Sequence, residues 1–213
     1  MTRMMGITRR GVLQSGLLAL ASAFPGLRSA EAKPGWQTAL ITAARSQIGV
    51  TTLYDPAYVR IAYPGGDVPP ERGVCADVII RAYRSAFSLD LQKLLHLDMS
   101  THFSGYPQAW GLKKPDSNID HRRVLNLAAY FSRRGTALPV SDDVSQYQPG
   151  DLVTQLLPGN LPHILIISSG MSSDVAGRPL VIQNIGAGAK EDDTLFAYPR
   201  TGHFRFAPEA AAL

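Results

Sequence analysis

The sequence predicts an α+β fold, with helices in the first half of the chain packed on an antiparallel sheet built by the second half. Three observations carry this. Up to residue 134, apolar residues recur three and four apart, the spacing of a single helix face. After Pro139 the pattern changes to short β-branched runs bounded by Pro, Gly, Asn and Asp. No internal repeat, low-complexity tract or linker divides the 213 residues, so one domain follows an N-terminal leader.

The leader is read over 1–32. Arg9-Arg10 precede Gly11-Val12-Leu13 and an apolar run, and Ala30-Glu31-Ala32 has the small-x-small pattern of a signal-peptidase site. The arginine pair makes the segment resemble a twin-arginine export signal, with a general secretory signal as the alternative. The apolar run is shorter than the roughly 20 residues that span a bilayer. The expectation is therefore a cleaved peptide, no permanent membrane span, and a periplasmic product. Cleavage after Ala32 removes four arginines and one glutamate, lowering the net charge from +4 to about +1. So small a charge gives no support for nucleic-acid binding.

In the remaining chain, 36–48 reads as an amphipathic helix with Trp36, Leu40, Ile41, Ala44 and Ile48 on one face. The stretch 51–72, rich in Pro, Gly, Tyr and Asp, reads as a long irregular loop of the kind that often walls a cleft. A helix follows from Gly73, with Val78, Ile79, Ala82, Tyr83 and Ala86 on its apolar face. Further helices are expected over 89–99 and 124–134, separated by the polar, turn-rich stretch 100–123. Gln148-Pro149-Gly150-Asp151 introduces a strand over 152–157, and further strands are expected over 162–168, 180–185 and 202–206.

Cys75, the only cysteine, falls in the first turn of the second helix. Unpaired backbone N–H groups and the positive end of the helix dipole there favour thiolate over thiol. The alternative is a small buried hydrophobe. An exported chain with one cysteine can form no internal disulfide, which raises the case for a reactive thiol. Cysteine acyl transfer needs a nearby imidazole as base and a third polar group to orient it. His163, at the start of a strand, and Gln183 or Asn184, late in the next, fill those roles in the order nucleophile, base, orienter. Period-2 alternation lets only one of Gln183 and Asn184 face His163.

Two resemblances sharpen this reading. The segments Tyr54-Asp55-Pro56, Tyr63-Pro64-Gly65-Gly66-Asp67, Gly73-Val74-Cys75-Ala76-Asp77, Asn118-Ile119-Asp120-His121-Arg122-Arg123, Tyr147-Gln148-Pro149-Gly150-Asp151, Pro162-His163-Ile164 and Thr201-Gly202-His203 make the chain similar to the exported bacterial family called domain of unknown function 1287. More distantly, a helix-opening cysteine, a Pro-Gly-Asp before a strand and a histidine opening the next strand resemble the NlpC/P60-type, papain-like cysteine peptidases. That resemblance implies a papain-like fold with Cys75, His163 and Gln183 as the catalytic set and 88–140 as an insertion. It also implies a hydrolase acting on amide bonds of peptidoglycan stem peptides. Val74 and Ala76-Asp77 replace the Asp-Cys-Ser-Gly setting usual in that superfamily.

His121, Arg122 and Arg123 are candidates to bind an anionic substrate group, with Asp77 and Asn184 as further candidates near the site. For Asp77, a helix-capping role or an ion pair with an arginine is the plainer reading. No histidine spacing suggests a metal site, and no glycine-rich loop opens a helix after a strand, so neither metal nor cofactor is expected. The expected partner is peptidoglycan or a peptide, and the chain is expected to be a monomer. Two readings stand beside the hydrolase: a non-catalytic cell-wall binding protein with a papain-like groove, and an acyl or amide transferase using the same cysteine.

Overall fold

The computed structural model describes residues 35–212, so the export signal read over 1–32 lies outside the described residues. Helix α1 (Trp36–Arg45) buries Leu40, Ile41, Ala43 and Ala44. It stops earlier than the spacing alone predicts, because Gln47 and Ile48 turn back to the carbonyls of Ala44 and Arg45 in tighter bonds. Leu53–Tyr54 (β1) and Arg72–Gly73 (β2) form a two-stranded parallel ribbon that closes the long loop between them. Helix α2 (Cys75–Phe87) buries nearly all of its first nine residues and ends at Ser88, held in the left-handed conformation at φ 56°.

Helix α3 (Leu91–Thr101) is capped by the Asp90 carboxylate, which accepts from Gln92 N–H at 3.1 Å. Helix α4 (Val124–Arg133) ends before Gly135, whose φ of +67° suits a residue without Cβ. The strands are β3 (Ala137–Leu138), β4 (Leu152–Leu157), β5 (Leu161–Met171), β6 (Pro179–Asn184), β7 (Ala189–Asp192) and β8 (Arg200–Phe204). They form a six-stranded antiparallel sheet in the order β3-β8-β4-β5-β6-β7. The expected helices on an antiparallel sheet are therefore present.

Alternate residues of the central strands serve two separate cores. Leu152, Ile164, Ile166, Ile182 and Phe204 pack with the helices in the main core, around Tyr83, Tyr130, Phe131 and Phe206. Val153, Leu165, Ile167 and Val181 face the other way, onto Tyr147, Leu195 and the partly buried Phe196. Connecting loops cover this second face. Because both faces are covered, the run Ile164 to Ile167 is apolar without alternation.

Two strands of the six-stranded sheet had no clear sequence signal. β7 carries Lys190, Glu191 and Asp192, a composition poor in strand formers, yet it pairs with β6 along its whole length. Its start is fixed by Ala189 N–H donating to Thr51 O at 2.8 Å. Gly188 before it sits at φ +87°, where an added Cβ would come within 2.6 Å of that same Thr51 oxygen. β3, with two residues, forms the opposite edge of the sheet.

Candidate functional site

Val74 precedes α2 in extended conformation and has no side-chain oxygen to cap the helix. Asp77 takes over part of that role, accepting from Val74 N–H at 2.6 Å. Its carboxylate is also gripped by Arg122, with Nε donating to Oδ1 and Nη2 to Oδ2, both at 2.9 Å. The same guanidinium donates to the carbonyls of Ala57 and Asp55. One buried pair thus fixes the start of α2, the loop after β1 and the short 3₁₀ turn Asp120–Arg122 relative to one another. Gly73 makes the approach possible, since a Cβ there would lie 3.0 Å from Asp77 Oδ2. Asn184 completes the anchorage by donating from Nδ2 to Gly73 O at 3.1 Å.

Cys75 is the first residue of α2 and is only 3% exposed. Burial pushes its thiol up to about 11, and the Asp77 carboxylate adds to the rise against backbone N–H groups of Ile164, Ala76 and Cys75 itself. The thiolate expected from the helix dipole is therefore not favoured: desolvation and a like charge outweigh the helix terminus. Tyr54, whose hydroxyl interacts with the thiol, is pushed up to about 12 by burial and by Cys75 and Asp77, so it is no base either.

A cleft of about 210 Å³ opens at Cys75. Its walls are mainly apolar, with Pro56, Trp110, Val124, Leu125 and Pro162, and Tyr54, Arg122 and Arg123 add polar groups. The Arg123 guanidinium lies 4.2 Å from the centre of the Trp110 ring and donates to Asp120 Oδ1 at 2.9 Å. Tyr54, Trp110 and Pro162 were not singled out as site residues from the sequence. The available signal was an aromatic residue in each irregular segment flanking the cysteine helix.

The structure does not bring His163 to Cys75. Residues of β5 alternate between faces, and Ile164 and Ile166 face the helices, so His163 projects to the far side with Leu165 and Ile167. There its Nε2 and Gln183 Oε1 are 2.6 Å apart. Gln183 Nε2 donates onward to Asp192 Oδ1 at 2.8 Å and Thr194 Oγ1 at 2.6 Å, which requires its oxygen to accept from a protonated Nε2 of His163. Burial lowers the pKa of His163, partly opposed by the Gln183 bond and the Asp192 charge, so the imidazole is held neutral. The residue of β5 that does line the Cys75 cleft is Pro162, which has no acid–base group.

The remaining candidates divide in the same way. Arg122 and Arg123 line the cleft, but the Arg122 fork is occupied by Asp77. His121 is 2% exposed and lies outside the cleft lining, its pKa lowered to about 4 by burial and by neighbouring Arg122. Asp77 and Asn184 are both buried and committed to holding the helix entrance. Among the described residues no group of three His, Cys, Asp or Glu side chains is placed to hold a metal ion. None of the helices described is long and apolar enough to cross a membrane.

These features define a mixed α/β protein in which a buried helix-opening cysteine floors a small cleft against one face of an antiparallel sheet. The chain belongs to the family described as domain of unknown function (DUF1287), whose model matches residues 41–206. It is 56% identical over 168 residues to the uncharacterized protein YijF of Escherichia coli (strain K12), a match covering 79% of this chain and 80% of that protein.

Proposed function

We propose that the chain is a non-catalytic binding protein whose Cys75 cleft receives a cell-wall-derived peptide. The observation that carries this reading is the placement of His163 across the sheet from Cys75, which leaves a high-pKa thiol in a cleft without an imidazole. Apolar walls suit a side chain of the ligand, while Arg123, placed over the Trp110 ring and paired with Asp120 through Nη1, offers its remaining N–H donors to a terminal carboxylate. Peptidoglycan peptides as the ligand follow from the resemblance to NlpC/P60-type proteins and from the export signal read in the sequence.

One observation favours the second reading, a cysteine hydrolase or acyl transferase with a papain-like fold: Cys75 opens a helix and lines a cleft, as a nucleophile must. The two readings separate in a single experiment. Purified stem peptides are titrated against the wild-type chain, Trp110→Ala and Cys75→Ala, and the peptides are then recovered and weighed by mass spectrometry. Binding weakened at least about 10-fold by Trp110→Ala, kept by Cys75→Ala, with peptides recovered intact, is the expected result. Cleavage or acyl exchange by the wild type that disappears in Cys75→Ala would overturn the binding reading in favour of the enzyme.

A further inference from the structure

Most lysines and arginines of the described residues are paired with carboxylates, among them Arg45 with Glu191, Arg81 with Asp67, Arg133 with Asp98, Arg178 with Asp193 and Arg205 with Asp151. Arg60, Lys93, Lys113, Lys114 and Arg134 form no ion pair among these residues. Three of the five, Arg60, Lys113 and Lys114, line one cleft of about 700 Å³ together with His96. This cleft shares no lining residue with the one at Cys75. We propose that it is a binding site for a multiply charged oxyanion, the chemistry of clustered phosphate or carboxylate groups.

The cations are borne on loops that the chain ties firmly together. Tyr58 Oη donates to Asp116 Oδ2 at 3.1 Å, and Asn118 Nδ2 donates to Tyr58 Oη at the same distance. Asn118 Oδ1 in turn accepts from Ile61 N–H at 3.0 Å. The segment carrying Arg60 is thus laced to the segment that follows Lys113 and Lys114, which keeps the three cation-bearing residues around one cleft. Such an arrangement costs free energy through mutual repulsion and is relieved by an anion.

Asp116 is the one carboxylate in the lining; it offsets one of the three positive charges, forms no ion pair with Arg60, Lys113 or Lys114, and leaves the cleft net positive. Its Oδ1 accepts from the backbone and side-chain N–H groups of Asn118 and its Oδ2 from Tyr58. His96 stacks edge-on to Tyr63 with ring centroids 4.8 Å apart, and its Nδ1 has no hydrogen-bond partner. Ammonium groups on flexible stems beside one arginine fork match several anionic oxygens spread over a ligand better than they match a single carboxylate.

The test uses the full mature chain and tripolyphosphate as probe, with citrate and with vesicles of phosphatidylglycerol in neutral lipid as parallel arms. The Arg60→Gln/Lys113→Gln/Lys114→Gln variant is compared with Lys93→Gln/Arg134→Gln, which removes unpaired cations elsewhere. The proposal expects wild-type binding that weakens with salt, falls at least about 10-fold in the triple variant and stays within about 2-fold in the control. Binding of the free anions assigns a soluble ligand, and binding of vesicles alone assigns a lipid headgroup; either supports the shared chemistry. No binding in any arm, or equal loss in the two variants, overturns it. Unchanged thermal unfolding of the triple variant shows that any loss is not a loss of fold.

Discussion

Asp77 and Arg122, 45 positions apart in the chain, form a two-point ion pair in which the side chains are only 4% and 3% exposed. Desolvating both charges offsets much of their attraction, so the pair is better understood as a clamp on geometry than as a large source of stability. Removing one partner is a different matter. Arg122→Ala leaves a buried carboxylate uncompensated and is expected to lower unfolding stability by roughly 3–5 kcal/mol. Urea titration of the purified variant measures this, and a loss under about 1 kcal/mol would show that the clamp relaxes around the missing arginine.

The thiol of Cys75 is expected to resist alkylation at neutral pH in the native chain and to react freely once denatured. Its ionised form gains population only towards pH 11, because burial and Asp77 both oppose charge there. Iodoacetamide rates measured from pH 6 to 10 check this. A plateau reached below pH 8 would mean an activated thiolate and would favour the enzyme reading. Asp77→Asn removes the like charge and is expected to shift the alkylation profile to lower pH.

His121 supplies a pH dependence of folding. Its folded pKa of about 4 lies below the ordinary histidine value of about 6.5, so between these limits the unfolded chain binds more protons. Stability is therefore present above about pH 6.5 and is lost as the pH falls towards 4, by up to about 3 kcal/mol from this residue. His163, also lowered by burial, contributes with the same sign. Urea midpoints of wild type and His121→Gln at pH 7 and 4.5 isolate the effect, which fails if the two proteins lose stability in parallel.

Gly188→Ala is expected to destabilise the chain by about 1–3 kcal/mol, since the substitution adds both an unfavourable backbone angle and a collision with Thr51 and Thr52. Gly177→Ala, also at positive φ but with open space around it, isolates the backbone part. Thermal unfolding of the two variants measures the difference, and equal losses would show that the contact with the loop after α1 carries no cost.

The four helices and β4, β5, β6 and β8 were legible because spacing and turn residues gave each a boundary. β7 was not, since three consecutive charged residues join the sheet through pairing and the Ala189 anchor, neither of which is a local property. In the site, the order of Cys75, His163 and Gln183 could be read, but the face on which each side chain stands could not. A run buried on both sides has no apolar–polar alternation to fix its phase, and a shift of one residue decides whether Pro162 or His163 faces the cysteine. For Asp77 the capping role and an arginine partner could be read, but the choice of Arg122 as that partner could not. It depends on how the chain between them returns to α2.

The sheet ends also bear on how the molecule behaves when crowded. β3 offers an incoming strand only two residues, and β7 offers four that include Lys190, Glu191 and Asp192. A second chain extending the sheet at either end would gain few backbone bonds, and at β7 it would have to strip water from charged side chains. Concentrated solutions of the native chain should accordingly resist edge-to-edge polymerisation. Fibrils, where they form, must begin from molecules in which the apolar run Ile164 to Ile167 has first been uncovered.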